Sequence, residues 1–210
     1  DANIAIFEVN SDTGNLTFAG NSQTYGQGIY SLVASDTHLY ANGSSSLLAY
    51  TIDADSGDLI FEASIAGSAP GSLSLSDDGS LLYVIGENDG SLRIIKTNDF
   101  TGPHQTITNG ESVMNNTGNP VVLDGLDAAS SIATSDSNRF LYVTGKNSNS
   151  ITVFERDLAN DNITLVETIH NGIDGVRGLL GASSVKITPD GKYVVVSGEK
   201  SNAIAVFTIP

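Results

Sequence analysis

A short pattern of alternating polar and apolar residues occurs four times along the chain. It reads SLVAS at 31–35, SLSLS at 72–76, SIATS at 131–135 and SVKIT at 184–188. Alternation with a period of two residues is typical of a β-strand that buries one face. Because the copies are about 50 residues apart, we expect one structural unit repeated along the chain, and few architectures are built that way.

The segments between these copies complete a unit of four strands. A turn rich in Asp, Asn and Gly follows each copy, and such residues supply the left-handed backbone of tight hairpins. A second strand that contains a tyrosine comes next, with Tyr40, Tyr83, Tyr142 and Tyr193 as its four tyrosines. Third strands are predicted at 47–52, 92–96, 151–155 and 203–208 with a fifth copy at 4–9, and fourth strands at 16–18, 59–61, 105–108 and 163–167.

Four short antiparallel strands per repeat are typical of a β-propeller, in which neighbouring sheets, the blades, pack face to face. A β-sandwich is the alternative for an all-β chain, but the matched strand positions favour the propeller. No stretch shows sustained helical periodicity, so we expect almost no helix. We predict one all-β propeller domain or propeller fragment over 1–210, with about four blades' worth of four-stranded antiparallel blades. The predicted blade repeats are 1–28 (partial), 29–70, 71–129, 130–182 and 183–210 (partial).

The predicted strands begin and end within a blade. The first residues supply a third and a fourth strand, and the last supply a first, a second and a third. Uncovered blade edges and faces are unfavourable in water, and three ways of covering them stay open. The chain is part of a larger ring, two copies join into one ring, or the chain closes alone as a four-bladed ring in which 4–9 pairs beside 203–208.

Two of the repeats carry motifs of a known family. The segment LYVTG (141–145), preceded by SIAT (131–134) and followed by SITVF (150–154), resembles the YVTN-type repeat. Residues 184–195 and 203–207 resemble it as well. Such repeats build the lactonase-like, 6-phosphogluconolactonase-type seven-bladed propellers. The resemblance implies a bladed fold and, as an alternative function, a lactonase-like hydrolase, but it carries over no catalytic residue because no catalytic motif can be matched.

Two connections between a fourth strand and the next first strand are longer than a blade needs, at 109–130 and 170–183. In a propeller they lie on the same face as the turns between second and third strands, and loops on a rigid scaffold commonly bind ligands. The candidate ligand-binding residues on this face are Glu87, Asp89, Asp124, Asp127, Lys146, Asn147, His170, Asp174, Arg177 and Glu199. The alternative is that these side chains only bond to their own loops, for example as an Asp174–Arg177 ion pair.

The sequence offers little for nucleophilic or metal catalysis. It has no cysteine, which excludes disulfides, thiol catalysis and zinc–thiolate sites. Its three histidines are dispersed and it lacks a Gly-x-Ser-x-Gly nucleophile elbow, so we predict no catalytic residue. Asp53, Asp55 and Asp58 resemble the start of a calcium loop, which makes calcium (Ca²⁺) the one cofactor considered. The alternative is a hairpin turn, because turn-forming residues occupy the same place at 11–15 and 157–162.

The formal net charge is −15, from 9 basic and 24 acidic residues. This balance argues against nucleic acid and anionic membrane surfaces as partners, because both are polyanions. No apolar run approaches the roughly 20 residues of a membrane-spanning helix. The predicted function is a non-catalytic binding or scaffold module of a secreted or surface bacterial protein. Its expected partners are an unknown protein or a small polar ligand, with a second copy or further blades at its ends, and its expected location is extracellular, periplasmic or the cell surface.

Overall fold

The computed structural model describes residues 3–67 and 70–209, which form 19 strands and no helix. The predicted all-β fold is therefore confirmed. Within these residues, no helix has the length and apolar character that crossing a membrane requires. The strands are β1 (Asn3–Val9), β2 (Leu16–Gln23), β3 (Ile29–Ala34), β4 (His38–Gly43), β5 (Ser46–Ile52), β6 (Leu59–Ala66), β7 (Leu73–Leu75), β8 (Leu81–Gly86), β9 (Ser91–Lys96), β10 (Gln105–Thr108), β11 (Ser112–Met114), β12 (Pro120–Val122), β13 (Ala129–Thr134), β14 (Phe140–Gly145), β15 (Ser150–Arg156), β16 (Ile163–His170), β17 (Ala182–Ile187), β18 (Tyr193–Gly198) and β19 (Ala203–Thr208).

The strands build antiparallel sheets in which neighbours along the chain are also neighbours in space. β3–β6, β7–β10 and β13–β16 each form a four-stranded sheet, and we call these the second, third and fourth blades. β1 and β2 form the partial first blade, and β17–β19 form the partial fifth blade. The predicted four-stranded antiparallel sheets are thereby confirmed.

The hydrophobic core lies between the blades rather than within any one of them. The first strands β3, β7, β13 and β17 are successive neighbours, so consecutive blades stack with their faces in contact. One buried cluster joins the third and fourth blades and includes Tyr83, Ile94 and Phe154. Similar clusters join the second blade to the third and the fourth to the fifth. Burial of these apolar faces stabilises the stack by about 25 cal/mol per Å² removed from water.

Polar contacts further define the interface between the third and fourth blades. Arg156, buried at the end of β15, forms ion pairs with Asp161 of its own blade at 2.7 Å and with Asp78 of the third blade at 3.5 Å. The side-chain amide of Gln105 donates a hydrogen bond to the carbonyl of Ile163 at 3.0 Å. It also accepts a hydrogen bond from the backbone N–H of Ile163 at 2.8 Å. These directional bonds set the alignment of the two blades, which apolar packing alone specifies less sharply.

The connection 109–130 contains a hairpin that the sequence analysis missed. β11 and β12 pair through Val113 and Val121, and Val113 packs against the core between the third and fourth blades. Asn115 forms a parallel bridge with Leu165 of β16, so the hairpin covers part of the outer edge of the fourth blade. Each of its strands has three residues, too few for a period-two pattern to be visible.

The strand register distinguishes one of the four second-strand tyrosines from the others. Tyr40, Tyr83 and Tyr142 each lie three residues before the last glycine of their strand. In β18 that position belongs to Val195, and Tyr193 lies two residues earlier. Three of the four tyrosines therefore share one register position, and Tyr193 does not.

One repeated position shows which blade faces are covered. In each third strand, one residue pairs with the residue that precedes the last glycine of the second strand. The residues at this position are Leu47, Leu92, Ile151 and Ile204. The first three are 2%, 0% and 1% exposed because the next blade packs on them, whereas Ile204 of the partial fifth blade is 69% exposed. Among the residues that the structure describes, no blade covers the outward, apolar face of the fifth blade.

The partial first blade has an open face of the same kind. Phe7, Tyr50 and Phe154 directly follow the register shift between the third and fourth strands of their blades. Tyr50 and Phe154 are fully buried, but Phe7 is 49% exposed and stacks edge-on with the exposed Phe18. Both ends of the stack therefore present apolar side chains whose counterparts are buried between blades.

The four-bladed closure considered above is not formed. Within the described ranges, β1 pairs only with β2, and β19 pairs only with β18. Residues 4–9 therefore do not act as an outer strand beside 203–208, and the two ends of the stack do not close it by strand pairing.

Candidate functional site

Two kinds of loop meet on one face of the blades. The residue that directly follows each second strand donates its backbone N–H to the connection that enters the same blade. These bonds run from Glu87 to Pro70 at 2.7 Å, from Lys146 to Ala128 at 3.0 Å and from Glu199 to Gly181 at 3.0 Å. They hold the turns between second and third strands against the long connections, where we predicted that the two would meet. We call this surface the loop face.

Lys146 lies between two glutamates on the loop face. Its Nζ is 2.6 Å from Oε2 of Glu199, and Glu87 occupies the equivalent position in the preceding blade. The hydrogen bond and charge of Glu199 raise the pKa of Lys146, with a smaller contribution from Glu87. Lys146 in turn lowers the pKa of Glu199. Three consecutive blades thus place charges of alternating sign along this face.

His170 lies at the end of β16 between two hydrogen-bond acceptors. Its Nε2 is 3.2 Å from Oδ1 of Asp124, and its Nδ1 is 3.3 Å from the carbonyl oxygen of Ser148. A carbonyl and an ionised carboxylate can only accept, so both contacts are hydrogen bonds when both ring nitrogens carry a proton. Loss of one proton leaves a nitrogen that can accept a proton again. Asp124 is 68% exposed, so solvent reaches this pair.

Other predicted residues stabilise the loops themselves. Asn147 donates its backbone N–H to the carbonyl of Asp127 at 3.1 Å, and its side chain donates to Oδ1 of the same residue at 3.4 Å. Asp89 forms an ion pair with Arg93 at 2.7 Å, and Arg93 also donates to the carbonyl of Gly67. These residues therefore have structural partners within the third blade and the connections.

The predicted ion pair between Asp174 and Arg177 is not formed. Asp174 adopts a left-handed backbone conformation with φ of 49°, inside the tight turn that begins the connection. Both residues are exposed, and across the described part of the chain Arg177 has no carboxylate within 4 Å. Spacing in the sequence suggested the pair, but this turn does not bring the two side chains together.

Three residues that shape the loop face were not predicted from the sequence. Ser148 supplies the carbonyl that His170 contacts. Asn149 accepts a hydrogen bond from Gly181 at 2.8 Å, and Asn171 accepts one from Leu179 at 3.0 Å. One signal was available for Asn171, because an Asn-Gly pair follows the fourth strand at both 109–110 and 171–172.

The predicted calcium residues lie in the turn between β5 and β6. Oδ1 of Asp53 accepts hydrogen bonds from the N–H groups of Asp55 and Ser56 and from the Ser56 hydroxyl, at 3.0, 2.8 and 3.0 Å. The bonds from Ser56 and then Asp55 lower the pKa of Asp53. In residues 3–67 and 70–209, no three His, Asp or Glu side chains are arranged to hold a metal. The acidic residues of this turn thus have structural roles, and the carbonyl of Asp58 accepts the backbone N–H of Asp53. Calcium binding at this turn stays a prediction.

A cavity of about 1220 Å³ opens on the opposite side of the blades. It is lined by turns between first and second strands and by parts of β7, β13 and β17, and none of the ten predicted ligand-binding residues lines it. Asp36, Asp78 and Glu62 make its wall acidic. His38 lies 3.4 Å from Glu62 there. The cavity therefore contains a second histidine–carboxylate contact, His38–Glu62, away from the loop face. This contact is a natural comparison for the His170–Asp124 pair.

Comparisons with known proteins support the bladed architecture. The family model described as Lactonase, 7-bladed beta-propeller matches residues 43–210. The sequence matches no curated protein. Among solved structures, the periplasmic gluconolactonase of Pseudomonas aeruginosa is 20% identical with a TM-score of 0.73, and the match covers 99% of this chain and 60% of that one. A Lactobacillus plantarum protein is 19% identical with a TM-score of 0.76, covering 99% of this chain and 61% of that one.

A third solved structure matches this chain with similar identity, TM-score and coverage. A Bacteroides uniformis protein, described as a candidate 6-phosphogluconolactonase, is 20% identical with a TM-score of 0.74, and the match covers 99% of this chain and 61% of that one. This chain therefore spans about three fifths of the length of these structures. At this identity, the likeness shows the fold.

These comparisons confirm the resemblance found in the repeats and overturn the main functional prediction. A family of lactonases supports the alternative, a lactonase-like hydrolase, and the prediction of a non-catalytic binding or scaffold module was wrong. The sequence favoured that module because the polar groups of the loop face come from separate blades and form no local motif. The chain belongs to the lactonase family of seven-bladed β-propellers.

Proposed function

We propose that this chain supplies part of the catalytic site of a lactone hydrolase, and that this site lies around His170, Asp124 and Lys146. The observation that carries the proposal is a histidine paired with a carboxylate at 3.2 Å, on the same face as a lysine. Family membership supports the reaction class. The names of two solved relatives support lactones of sugar acids as the substrate class.

Hydrolysis of a lactone adds water across a ring ester. The water oxygen bonds to the carbonyl carbon, the bond between that carbon and the ring oxygen breaks, and the ring oxygen leaves as a hydroxyl. The reaction needs a group that takes the proton from water and returns it to the leaving oxygen, which is worth about 10²–10⁴-fold in rate. We assign this proton transfer to His170 together with Asp124, because the exposed Asp124 connects the ring to solvent.

Positive charge is the second requirement, because negative charge develops on the carbonyl oxygen as water attacks. We assign this role to Lys146. The ammonium group of a lysine is charged at neutral pH, and Glu199 raises the pKa of Lys146 further. Arg177 is exposed on the same face and makes no ion pair within the described residues. We assign Arg177 to attracting anionic substrates, which the net charge of −15 otherwise repels.

The test is hydrolysis of gluconolactone and of 6-phosphogluconolactone by the complete ring that contains this chain and by its His170→Gln variant. We expect the variant to lose about 10²-fold or more in kcat/KM, in line with the loss of a proton-transfer group. His38→Gln is the matched control, because His38 also contacts a carboxylate but faces the opposite cavity, and its kcat/KM should be unchanged. Equal losses in both variants would contradict the proposal, as would a complete ring that is no faster than the uncatalysed reaction.

We also propose that the complete fold is a ring of seven blades. The family supports this number, and the blade strands described here make about three fifths of seven four-stranded blades. That share equals the part of the solved relatives that the chain spans. In this proposal, further blades of the same ring cover the apolar faces at Ile204 and Phe7, rather than a second copy of the chain.

Two further predictions remain part of the proposal. Calcium binding at Asp53, Asp55 and Asp58 would stabilise the turn between β5 and β6 and is separate from the proposed chemistry. A location outside the cytoplasm is supported by one relative, whose name places it in the periplasm.

A further inference from the structure

Asn149 occupies a repeated position in the turn between the second and third strands. It has a left-handed backbone conformation with φ of 53°, and the residues at the same place in the neighbouring blades, Gly90 and Asn202, have φ of 59° and 48°. Asparagine and glycine tolerate this conformation better than other residues. The backbone therefore explains why one of these two residue types stands here, but it leaves the choice of a side chain at 149 unexplained.

The side chain of Asn149 connects two loops that lie on different blades. Its Oδ1 accepts a hydrogen bond from the N–H of Gly181 at 2.8 Å, and its Nδ2 donates to the carbonyl of Asn147 at 3.0 Å. Gly90 has no side chain, and within the described part of the structure Asn202 makes no side-chain hydrogen bond. Asn149 thus differs from its two counterparts in carrying one side-chain bond to the next blade, at Gly181, and a second within its own turn.

Two bonds of Asn149 lead to the charged pairs on the loop face, one accepted by its backbone carbonyl and one accepted by its Oδ1. The N–H of Asn171, the residue after His170, donates to the carbonyl of Asn149 at 2.9 Å. The carbonyl of Gly181 accepts the N–H of Glu199 at 3.0 Å, and Glu199 is the partner of Lys146. One asparagine therefore links the backbone that carries His170 to the backbone that carries Glu199.

We propose that Asn149 is the positioning residue of this site: it sets the placement of the His170–Asp124 pair relative to the Lys146–Glu199 pair. The inference rests on the proposed function for its consequence in catalysis, but its geometric part can be tested without activity. Asn149 acts through the backbone of the residues it binds and touches no reacting group. A misplacement of about 1 Å in such a site can cost about 10²-fold in rate.

The experiment compares Asn149→Gly, Asn149→Asp and Asn202→Gly in the full chain. Glycine keeps the left-handed backbone and removes both side-chain bonds, aspartate keeps the acceptor for Gly181, and Asn202→Gly makes the same change where no side-chain bond is lost. The first readout is the NMR signals of the His170 ring nitrogens, assigned by their disappearance in His170→Gln. We expect them to shift in Asn149→Gly, to return most of the way in Asn149→Asp, and to stay unchanged in Asn202→Gly.

The second readout is lactone hydrolysis. We expect kcat/KM to fall about 10–100-fold in Asn149→Gly, mostly through kcat, and to change less than about twofold in Asn202→Gly. Ring signals of His170 that do not move in Asn149→Gly would overturn the proposal, as would a general loss of folded structure, since a positioning role is local. If the His170 ring signals move in Asn149→Gly while the complete ring hydrolyses neither lactone, the positioning role is supported and the proposed function is contradicted, so the two failures are distinguishable.

Discussion

Replacement of Ile151 by alanine tests the blade stacking directly, because the chain contains its own control. Ile151 is 1% exposed and belongs to the cluster between the fourth and fifth blades, together with Leu179 and Val185. Alanine removes the side chain beyond Cβ and leaves a cavity, which costs about 2–5 kcal/mol in cores of this kind. Ile204 occupies the same repeat position but is 69% exposed, so its replacement should change the free energy of unfolding by no more than about 0.5 kcal/mol.

The assay is thermal unfolding of both variants followed by circular dichroism. In a chain of this size, about 1 kcal/mol corresponds to a shift in Tm of about 2–4 °C. We therefore expect Tm to fall by roughly 10 °C in Ile151→Ala and by no more than about 2 °C in Ile204→Ala. Equal losses would refute the reasoning, because they would mean that Ile204 is packed in solution. No loss in Ile151→Ala would refute the stacking of the fourth blade on the fifth.

Two further predictions concern the open faces and the interface ion pair. The dye ANS fluoresces when it binds exposed apolar surface, so it should bind the parent chain. Its fluorescence should fall when Phe7 and Ile204 are both replaced by glutamate. An unchanged fluorescence would contradict the exposure of these two apolar faces. Burial alone would raise the pKa of Asp78, but hydrogen bonds from neighbouring serines and the charge of Arg156 outweigh it and lower the pKa to about 2. A carboxylate whose pKa is lowered by folding stabilises the fold above its unfolded value of about 3.9, and this contribution is lost as the pH falls through the folded value. Tm of the parent should therefore fall more steeply between about pH 4 and pH 2 than Tm of Asp78→Asn, and equal slopes would argue against the lowered pKa of Asp78.

Most of the strands could be predicted because local sequence determines them. Alternating residues and Asp-Gly or Asn-rich turns fix where a strand begins and ends, and the strand predicted at 203–208 is observed as Ala203–Thr208. The hairpin of β11 and β12 could not be predicted this way. Its stability comes from Val113 in the core and from the bridge of Asn115 to Leu165, both made with distant residues.

The candidate site was predictable as a face but not as a set of pairs. Propeller geometry alone placed the turns and long connections together, and the structure brings Lys146 to Glu199 and His170 to Asp124 on that face. Both pairs join separate loops, so their distances depend on how one blade is rotated on the next. Spacing along the sequence carries no information on that rotation, and it suggested the Asp174–Arg177 pair, which is not formed.

The hairpin of β11 and β12 also bears on how a repeat protein reaches the correct assembly. Blades that resemble one another can exchange neighbours, either within one chain or between two chains, and such misassembly is a characteristic failure of repeat folds. Within residues 3–67 and 70–209, the hairpin has no counterpart at the other blade interfaces. A blade that took the place of the third or the fourth would lose the bridge at Leu165 and the pairing of Gln105 with Ile163. The insertion therefore makes one blade interface distinguishable from the rest, which favours the native order of blades over its permutations.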